Sequence, residues 1–206
     1  MALALPLRNS EDFRRRAQLG AVVASCVLVL SACGSGSKVG SSQGSRYVTS
    51  GDGIVMAAKS SRERAPDLSG KTLEGAALDV SSAYKGKVVV VNVWGSWCSP
   101  CRAEARNLEK AAKELKPKGV EFVGINTSDP STGPAKAFEK SYGITYPSLY
   151  DPAGKLVLRF PAGSLSPQAI PSTLVIDRNG KIAARKLSGV EEGTLHKMID
   201  PVLAEK

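Results

Sequence analysis

The sequence predicts an α/β fold in which a central mixed sheet carries helices on both faces. A continuous apolar run, residues 87–93, is typical of a central strand that is covered on both sides. An amphipathic helical pattern follows directly, at residues 99–115. Later in the chain Arg178-Asn179-Gly180 separates two further apolar runs, and an Asn-Gly pair in that position predicts a β-hairpin. Strands that alternate with helices and then form a hairpin indicate a mixed sheet.

Residues 63–206 contain these elements and are sufficient for one ordinary domain with its own core. In the long helix Pro100 falls in the first turn, where its missing N–H is not needed, and Pro117 and Gly119 end the helix. The predicted elements, in chain order, are a short hairpin at 71–80, a strand at 87–93, a helix at 99–115, a strand at 120–126, a short helix at 135–142, a loop or edge strand at 144–150, a helical turn at 155–160, strands at 172–177 and 181–186, and a helix at 191–204.

The tetrapeptide Cys98-Ser99-Pro100-Cys101 indicates the chemistry of the domain. Its cysteines lie at the predicted N-terminus of the long helix, close enough to close a small disulfide ring or to open it. A helix N-terminus favours negative charge, so Cys98 is expected to ionise more readily than a free cysteine. A thiolate that attacks and a second thiol that resolves the adduct are what dithiol–disulfide exchange requires. The alternative is a structural disulfide, but so short a ring restrains the unfolded chain very little.

The N-terminal segment predicts an export signal. Basic residues between Arg8 and Arg16 precede an apolar stretch, residues 17–30, which is shorter than the roughly 20 residues of a membrane span. The stretch ends in Leu-Ser-Ala-Cys-Gly, which resembles the bacterial lipobox and predicts a lipoprotein signal peptide at residues 1–32 with lipidation of Cys33. The alternatives are an uncleaved signal anchor, or a plain secretory signal in which Cys33 is incidental.

The residues that follow the lipobox predict a flexible tether, and the mature chain predicts an exported domain. Gly and Ser dominate the start of residues 33–62, and such a composition does not build a core. We therefore expect the domain at residues 63–206 to be held by a lipid anchor on the outer face of a bacterial cell membrane.

The composition argues against nucleic acid and metal ions as ligands. The formal net charge is +9, but lysines and arginines are scattered, without a dense cluster that interleaves with aromatic residues. The single histidine, His196, lies in the last predicted helix without a nearby cysteine. We therefore expect no metal site and no cofactor, whereas attraction to an anionic membrane surface is compatible with the charge.

The order of these elements resembles the thioredoxin-like fold, with a Trp-Cys-x-x-Cys sequence between strand and helix and a late Pro-Ser-Thr before a strand. More narrowly, the chain resembles the TlpA/ResA-like membrane-tethered thiol–disulfide oxidoreductases over about residues 65–204. Three segments carry the resemblance: residues 91–104, which read Val-Asn-Val-Trp-Gly-Ser-Trp-Cys-Ser-Pro-Cys-Arg-Ala-Glu; a central insertion of the AhpC/TSA type at residues 127–168; and residues 171–177, which read Pro-Ser-Thr-Leu-Val-Ile-Asp.

The resemblance implies catalytic roles around the cysteine pair. Cys98 would be the attacking thiol and Cys101 the resolving thiol. Glu104 matches the acidic residue three positions after the second cysteine in this family, and it would be the acid–base group. Asn92 stands where thioredoxins carry a buried aspartate, and an asparagine cannot ionise. The family often has a proline at the position of Arg106, so the helix is expected to run straighter here.

The resemblance also implies a substrate-binding edge formed by Trp97, Ile170 and Pro171. Pro171 would follow a cis peptide bond and lie against the cysteine pair. A cis X-Pro bond is uncommon, so its presence would be a specific structural feature. Ile170 would offer backbone hydrogen bonds to an extended substrate, and Trp97 would shield the thiols.

The predicted function is extracytoplasmic disulfide exchange with partner proteins in the reducing direction. The resemblance suggests the haem-binding cysteines of an apocytochrome c as a substrate, and a thiol-reductant electron donor in the membrane. Two alternatives are an oxidase that forms disulfides in exported proteins and a non-catalytic tethered binding lipoprotein on the same frame. A thiol peroxidase is disfavoured because residues 92–98 lack the proline and threonine that precede a peroxidatic cysteine.

Overall fold

The valine-rich run forms the central strand in the computed structural model, which describes residues 47–205 of the chain. This strand, β5, spans Val88–Trp94, and all seven of its residues are buried. The remaining strands are β1 Tyr47–Thr49, β2 Val55–Ala57, β3 Ser69–Lys71, β4 Ala77–Asp79, β6 Val120–Thr127, β7 Ser148–Asp151, β8 Ser172–Ile176 and β9 Ile182–Lys186.

Seven of these strands form one mixed sheet in the order β1-β2-β9-β8-β5-β6-β7, and β3 and β4 form a separate hairpin. β5 is parallel to β6 and antiparallel to β8. The register places Val93 opposite Ser172 and Asn92 opposite Thr173. The carboxyl end of β5, which leads to the cysteines, therefore adjoins the start of β8, which follows Pro171.

Helices and helical turns cover both faces of the sheet, as the sequence predicts. The α-helices of residues 47–205 are α1 Val80–Ala83, α2 Ser99–Leu115, α3 Thr132–Tyr142 and α4 Glu192–Ala204. Successive residues of a strand point to opposite faces. Val88 and Val90 belong to one core with α2 and α4, and the Trp94 ring stacks on a phenylalanine of α3. Val89 and Val91 belong to the other core, with α1 and a 3₁₀ turn.

The observed elements agree closely with the predicted ones, and the differences lie at their ends. α3 begins at Thr132, before the predicted start at residue 135. The prediction missed this first turn because it contains Gly133 and Pro134 and carries no apolar periodicity. The ambiguous stretch at residues 144–150 forms β7, an edge strand of the main sheet. The predicted helical turn is a 3₁₀ turn at Val157–Arg159.

The main sheet begins before residue 63, the predicted boundary between tether and domain. β1 and β2 pair with each other, and β2 pairs with β9, so the main sheet includes residues well before that boundary. The composition did not reveal these strands because each has only three residues and the turn between them is polar. The earlier part of the predicted tether, residues 33–46, lies outside the described residues.

Arg62 connects this N-terminal segment to Asp177 and to Glu205, near the end of the chain, through buried and partly buried ion pairs. Its guanidinium is buried and donates hydrogen bonds to the Asp177 carboxylate at 2.9 Å and to both carboxylate oxygens of Glu205 at 2.5 and 2.7 Å. Its Nε also donates to the Ala57 carbonyl at 3.2 Å. The pKa of Glu205 is lowered, first of all by its hydrogen bond to Arg62. Loss of Arg62 would therefore leave Asp177 buried without its cationic partner.

We predict that Arg62→Ala lowers the free energy of unfolding by about 3 kcal/mol, because removing one member of a buried ion pair leaves the other uncompensated. Denaturant unfolding of the oxidised protein measures this change. Lys136→Ala is the matched control, since Lys136 pairs with Glu74 at the surface and exposed pairs contribute little. Equal changes in the free energy of unfolding for the two substitutions would contradict a stabilising role for the buried Arg62 ion pair.

Candidate active site

A tight turn between β5 and α2 presents the cysteine pair. The Cys98 N–H donates to the Gly95 carbonyl at 3.1 Å, which closes a four-residue turn. Cys98 is the N-cap residue of α2, and Pro100 lies in the first turn, where its fixed φ suits a helix start. Cys98 and Cys101 form a disulfide. The local sequence thus ends the strand, starts the helix and joins the two sulfurs across one helical turn.

The helix start provides a favourable environment for a sulfur anion at Cys98. The Cys101 N–H donates to the Cys98 sulfur at 3.2 Å. Unpaired N–H groups and the helix dipole both stabilise negative charge at this end of a helix. Only 3% of Cys98 and 1% of Cys101 are exposed. The same N–H groups are available to a thiolate, so the reduced form of Cys98 is expected to ionise readily.

Trp97 forms an exposed apolar surface beside the pair. Its side chain is 52% exposed, whereas Trp94 is buried. A Cβ atom on Gly95 would lie 2.5 Å from the Trp97 indole nitrogen, so the indole lies directly over Gly95. Only glycine therefore allows the ring to take this position. The role of Trp97 as a substrate-binding residue stays a prediction.

The Ile170–Pro171 peptide bond is cis. Ile170 packs against a buried cluster that contains Trp94, Cys98 and Cys101. The structure therefore brings the predicted substrate-side segment and the two cysteines to the same end of the sheet.

Glu104 lies in the interior of the protein, one helical turn beyond Cys101. It is 2% exposed, and it accepts hydrogen bonds from the Asn92 side-chain amide at 2.8 Å and from the Val190 N–H at 2.9 Å. Burial raises the pKa of Glu104 to about 7, and the two hydrogen bonds oppose this rise without cancelling it. A carboxyl group with such a pKa can accept or release a proton near neutral pH.

Asn92 and Val190 complete this arrangement, and only Asn92 could be singled out from the sequence. The Asn92 amide also donates to the Thr173 hydroxyl at 3.2 Å, so it links α2, β5 and β8. The signal for Asn92 was a single polar residue inside an apolar strand, which marks a buried hydrogen-bonding position. Val190 carried no signal, because it contributes through its backbone N–H from a loop far along the chain.

Two further positions named from the sequence are Cys33 and His196. Cys33 falls outside the described residues. His196 lies on α4, where its ring and the carboxylates of Glu114 and Glu192 have ligand atoms within 4.8 Å of one another. The two carboxylates pair with Lys118 and Lys110 at the protein surface. This cluster therefore forms surface ion pairs, remote in sequence from the cysteine pair.

A helix-capping Cys-x-x-Cys pair, a cis-proline and a buried acid on a mixed sheet define the thioredoxin-like class of thiol–disulfide proteins. The chain belongs to the redoxin family, because the family model described as Redoxin matches residues 60–200. The family and fold that the sequence indicates are therefore confirmed.

Three relatives illustrate the similarity. The chain is 32% identical over 118 residues to "Thiol-disulfide oxidoreductase ResA" of Geobacillus thermodenitrificans, covering 57% of this chain and 64% of that protein. It is 37% identical over 120 residues to "Thiol:disulfide interchange protein HelX" of Rhodobacter capsulatus, covering 58% and 62%. The match thus spans slightly less than two thirds of these relatives. A secreted thiol-disulfide isomerase of Corynebacterium glutamicum superposes with a TM-score of 0.69 and 31% identity, covering 77% of this chain and 97% of that structure.

Glu104 generates a testable pH dependence. Its folded-state pKa of about 7 lies above its ordinary value of 4.5, so the folded protein holds the proton more tightly. The stability that protonated Glu104 contributes is fully present below pH 4.5, and it is lost as the pH rises through about 7. We predict that Glu104→Gln abolishes about 3 kcal/mol of this fall, as measured by denaturant unfolding between pH 4.5 and 8.

Glu139 provides the matched control for this experiment, because burial also raises its pKa to about 7. Glu139→Gln should remove a separate share of the same fall, and the double variant should remove both shares. An unchanged pH dependence in Glu104→Gln would show that Glu104 does not hold a proton in the folded protein.

Proposed function

We propose that this protein is an extracytoplasmic thiol–disulfide oxidoreductase that exchanges disulfides with partner proteins through Cys98 and Cys101. The observation that carries this proposal is the disulfide across the first turn of α2, with a cis-proline segment on one side and Glu104 behind it. The names of the three relatives describe oxidoreductase, interchange and isomerase proteins, which supports the same class of chemistry.

In the reducing direction the Cys98 thiolate attacks one sulfur of a substrate disulfide. A sulfur–sulfur bond forms between Cys98 and the substrate, and the other substrate sulfur leaves as a thiolate that takes up a proton. The Cys101 thiolate then attacks the Cys98 sulfur, which releases the second substrate thiol and leaves the Cys98–Cys101 disulfide. Two electrons pass from the protein to its substrate, and the attacking order follows from the capping position of Cys98.

Glu104 is proposed to manage the proton of Cys101. Cys101 is 1% exposed, so bulk water does not reach its thiol directly. Glu104 lies three residues further along α2, on the buried side, with a pKa of about 7. Its carboxylate can take the Cys101 proton as that sulfur attacks and release it in the following cycle.

Trp97, Ile170 and Pro171 are proposed to bind the substrate. The exposed indole offers an apolar surface next to Cys98, and Ile170 packs against the cluster that contains the pair. The residue before a cis-proline can present its backbone groups to an extended peptide, in the manner of an added β-strand. This arrangement suits an unfolded or flexible polypeptide with a disulfide.

Reduction is the proposed direction, with apocytochrome c cysteines as a substrate and a membrane thiol reductant as the electron donor. The support is the similarity to the ResA and HelX proteins. The alternative is oxidation or rearrangement of disulfides in exported proteins. One specific observation favours it: a structural relative that this chain matches over 97% of its length is named an isomerase. A non-catalytic binding lipoprotein would contain the same pair but keep it permanently oxidised.

The N-terminal segment is proposed to be a lipoprotein signal, residues 1–32, with lipidation at Cys33. The lipobox-like sequence before Cys33 supports this location. None of the helices in residues 47–205 is both long enough and apolar enough to cross a membrane.

We predict that Cys101→Ser accumulates a covalent mixed disulfide with a substrate protein, because Cys98 still attacks and no thiol resolves the adduct. Cys98→Ser should form no such adduct, although it retains the other cysteine. Non-reducing electrophoresis with mass spectrometry of the adduct measures both. Adducts through Cys101 in Cys98→Ser would reverse the assigned roles, and adducts in neither variant would contradict exchange.

We predict that Cys33→Ser abolishes incorporation of labelled fatty acid into the full-length protein expressed in a bacterium. Cys26→Ser is the matched control, since Cys26 lies within the apolar stretch, and it should be labelled normally. Persistent labelling of Cys33→Ser would show that another residue carries the lipid or that the signal is processed differently.

A further inference from the structure

The turn that carries Cys98 is held from both sides at Ser96. The Ser96 N–H donates to one carboxylate oxygen of Asp129 at 2.9 Å, and the Ser96 hydroxyl donates to the other at 2.5 Å. On the opposite side, the Arg102 guanidinium donates to the Ser96 carbonyl at 2.9 Å. Each polar group of this residue is thus fixed, two positions before Cys98.

Asp129 is itself held firmly by the ends of two neighbouring strands. The Asn126 amide, at the end of β6, donates to the Asp129 carboxylate at 2.6 Å, and the Tyr150 hydroxyl on β7 donates to its carbonyl at 3.1 Å. Ser128 has a φ of 60°, a left-handed conformation that is uncommon outside glycine, at the residue before Asp129. A strained residue at a functional loop is maintained only by surrounding structure, and here it turns Asp129 toward Ser96.

The Asp129 carboxylate accepts three hydrogen bonds. The Ser96 N–H, the Ser96 hydroxyl and the Asn126 amide all donate to its two oxygens. Asp129 is 2% exposed, so water screens its charge weakly. The carboxylate binds Ser96, which lies inside the turn that the Cys98 N–H closes on the Gly95 carbonyl.

A negative charge at this position acts against a thiolate on Cys98. Repulsion between like charges disfavours the ionised thiol, which is the form that stabilises the reduced state of such pairs. Arg102, which is exposed and of opposite sign, donates to the Ser96 carbonyl of the same turn, whereas Glu104 lies in the core behind Cys101. Asp129 is a buried acidic group bound directly to that turn.

We propose that Asp129 is a positioning residue that fixes the Cys98 turn and that its charge makes the reduced cysteine pair a stronger reductant. This inference rests on the proposed function, because it concerns the reduction potential of the same cysteine pair. The redox step is the two-electron reduction of the Cys98–Cys101 disulfide to two thiols, with glutathione as the electron donor in the test. The charge of Asp129 disfavours the reduced side of that equilibrium.

The test compares Asp129→Asn with Ser96→Ala in the full-length protein equilibrated in glutathione buffers. Asp129→Asn removes the charge and is nearly the same size, whereas Ser96→Ala removes one hydrogen bond and keeps the charge. We expect Asp129→Asn to lower the Cys98 pKa, measured by thiolate absorbance, and to shift the equilibrium about tenfold toward the dithiol. A tenfold shift corresponds to about 30 mV toward a less reducing potential.

Ser96→Ala should leave the equilibrium within about threefold of the wild type, or about 15 mV. A purely structural role would lower the stability of both variants and leave the potential and the Cys98 pKa of Asp129→Asn unchanged, which would overturn the proposal. The measurement needs no protein substrate. A failure to trap mixed disulfides would therefore contradict the proposed function and would leave the result on Asp129 interpretable.

Discussion

The hydrogen bond between Glu104 and Asn92 is the interaction on which the geometry of the site depends. It connects α2, which carries both cysteines, to β5, and Asn92 extends the connection to Thr173, two residues after Pro171. Because every partner is buried, an unpaired group here would be costly, and this requirement keeps the helix and the two strands in register. Burial raises the pKa of Glu104, and the bond from Asn92 only partly offsets that rise.

Two carboxyl groups near one cysteine pair occupy environments that separate their roles. Glu104 lies in the core behind Cys101, where two hydrogen bonds only partly offset its burial, and it can exchange a proton near neutral pH. Asp129 lies under the turn before Cys98, where it accepts three hydrogen bonds. The roles that we propose for them, proton transfer for Glu104 and control of the reduction potential for Asp129, differ because the protein surrounds the two carboxyl groups differently.

The sequence was sufficient for the central strand, the active-site helix and the cysteine pair because these depend on local signals. Periodicity located α2, and the Cys-x-x-Cys spacing at its start located the site. Contacts between distant segments carried no such signal. The bond from Val190 to Glu104 uses a backbone N–H, and Asp129 reads in the sequence as part of an Asp-Pro turn. β1 and β2 escaped prediction because their stability comes from pairing with each other and with β9.

We propose that the Cys98–Cys101 dithiol reduces partner disulfides, and the reduction potential of this pair in the wild-type protein is the measurement that decides it. Equilibration with dithiothreitol or glutathione buffers, followed by alkylation of the free thiols, gives its value. For a reductant we expect a potential near or below about −270 mV, the level of thioredoxin. A value toward about −120 mV, the level of a strong disulfide oxidant, would contradict it and would assign the protein to disulfide formation.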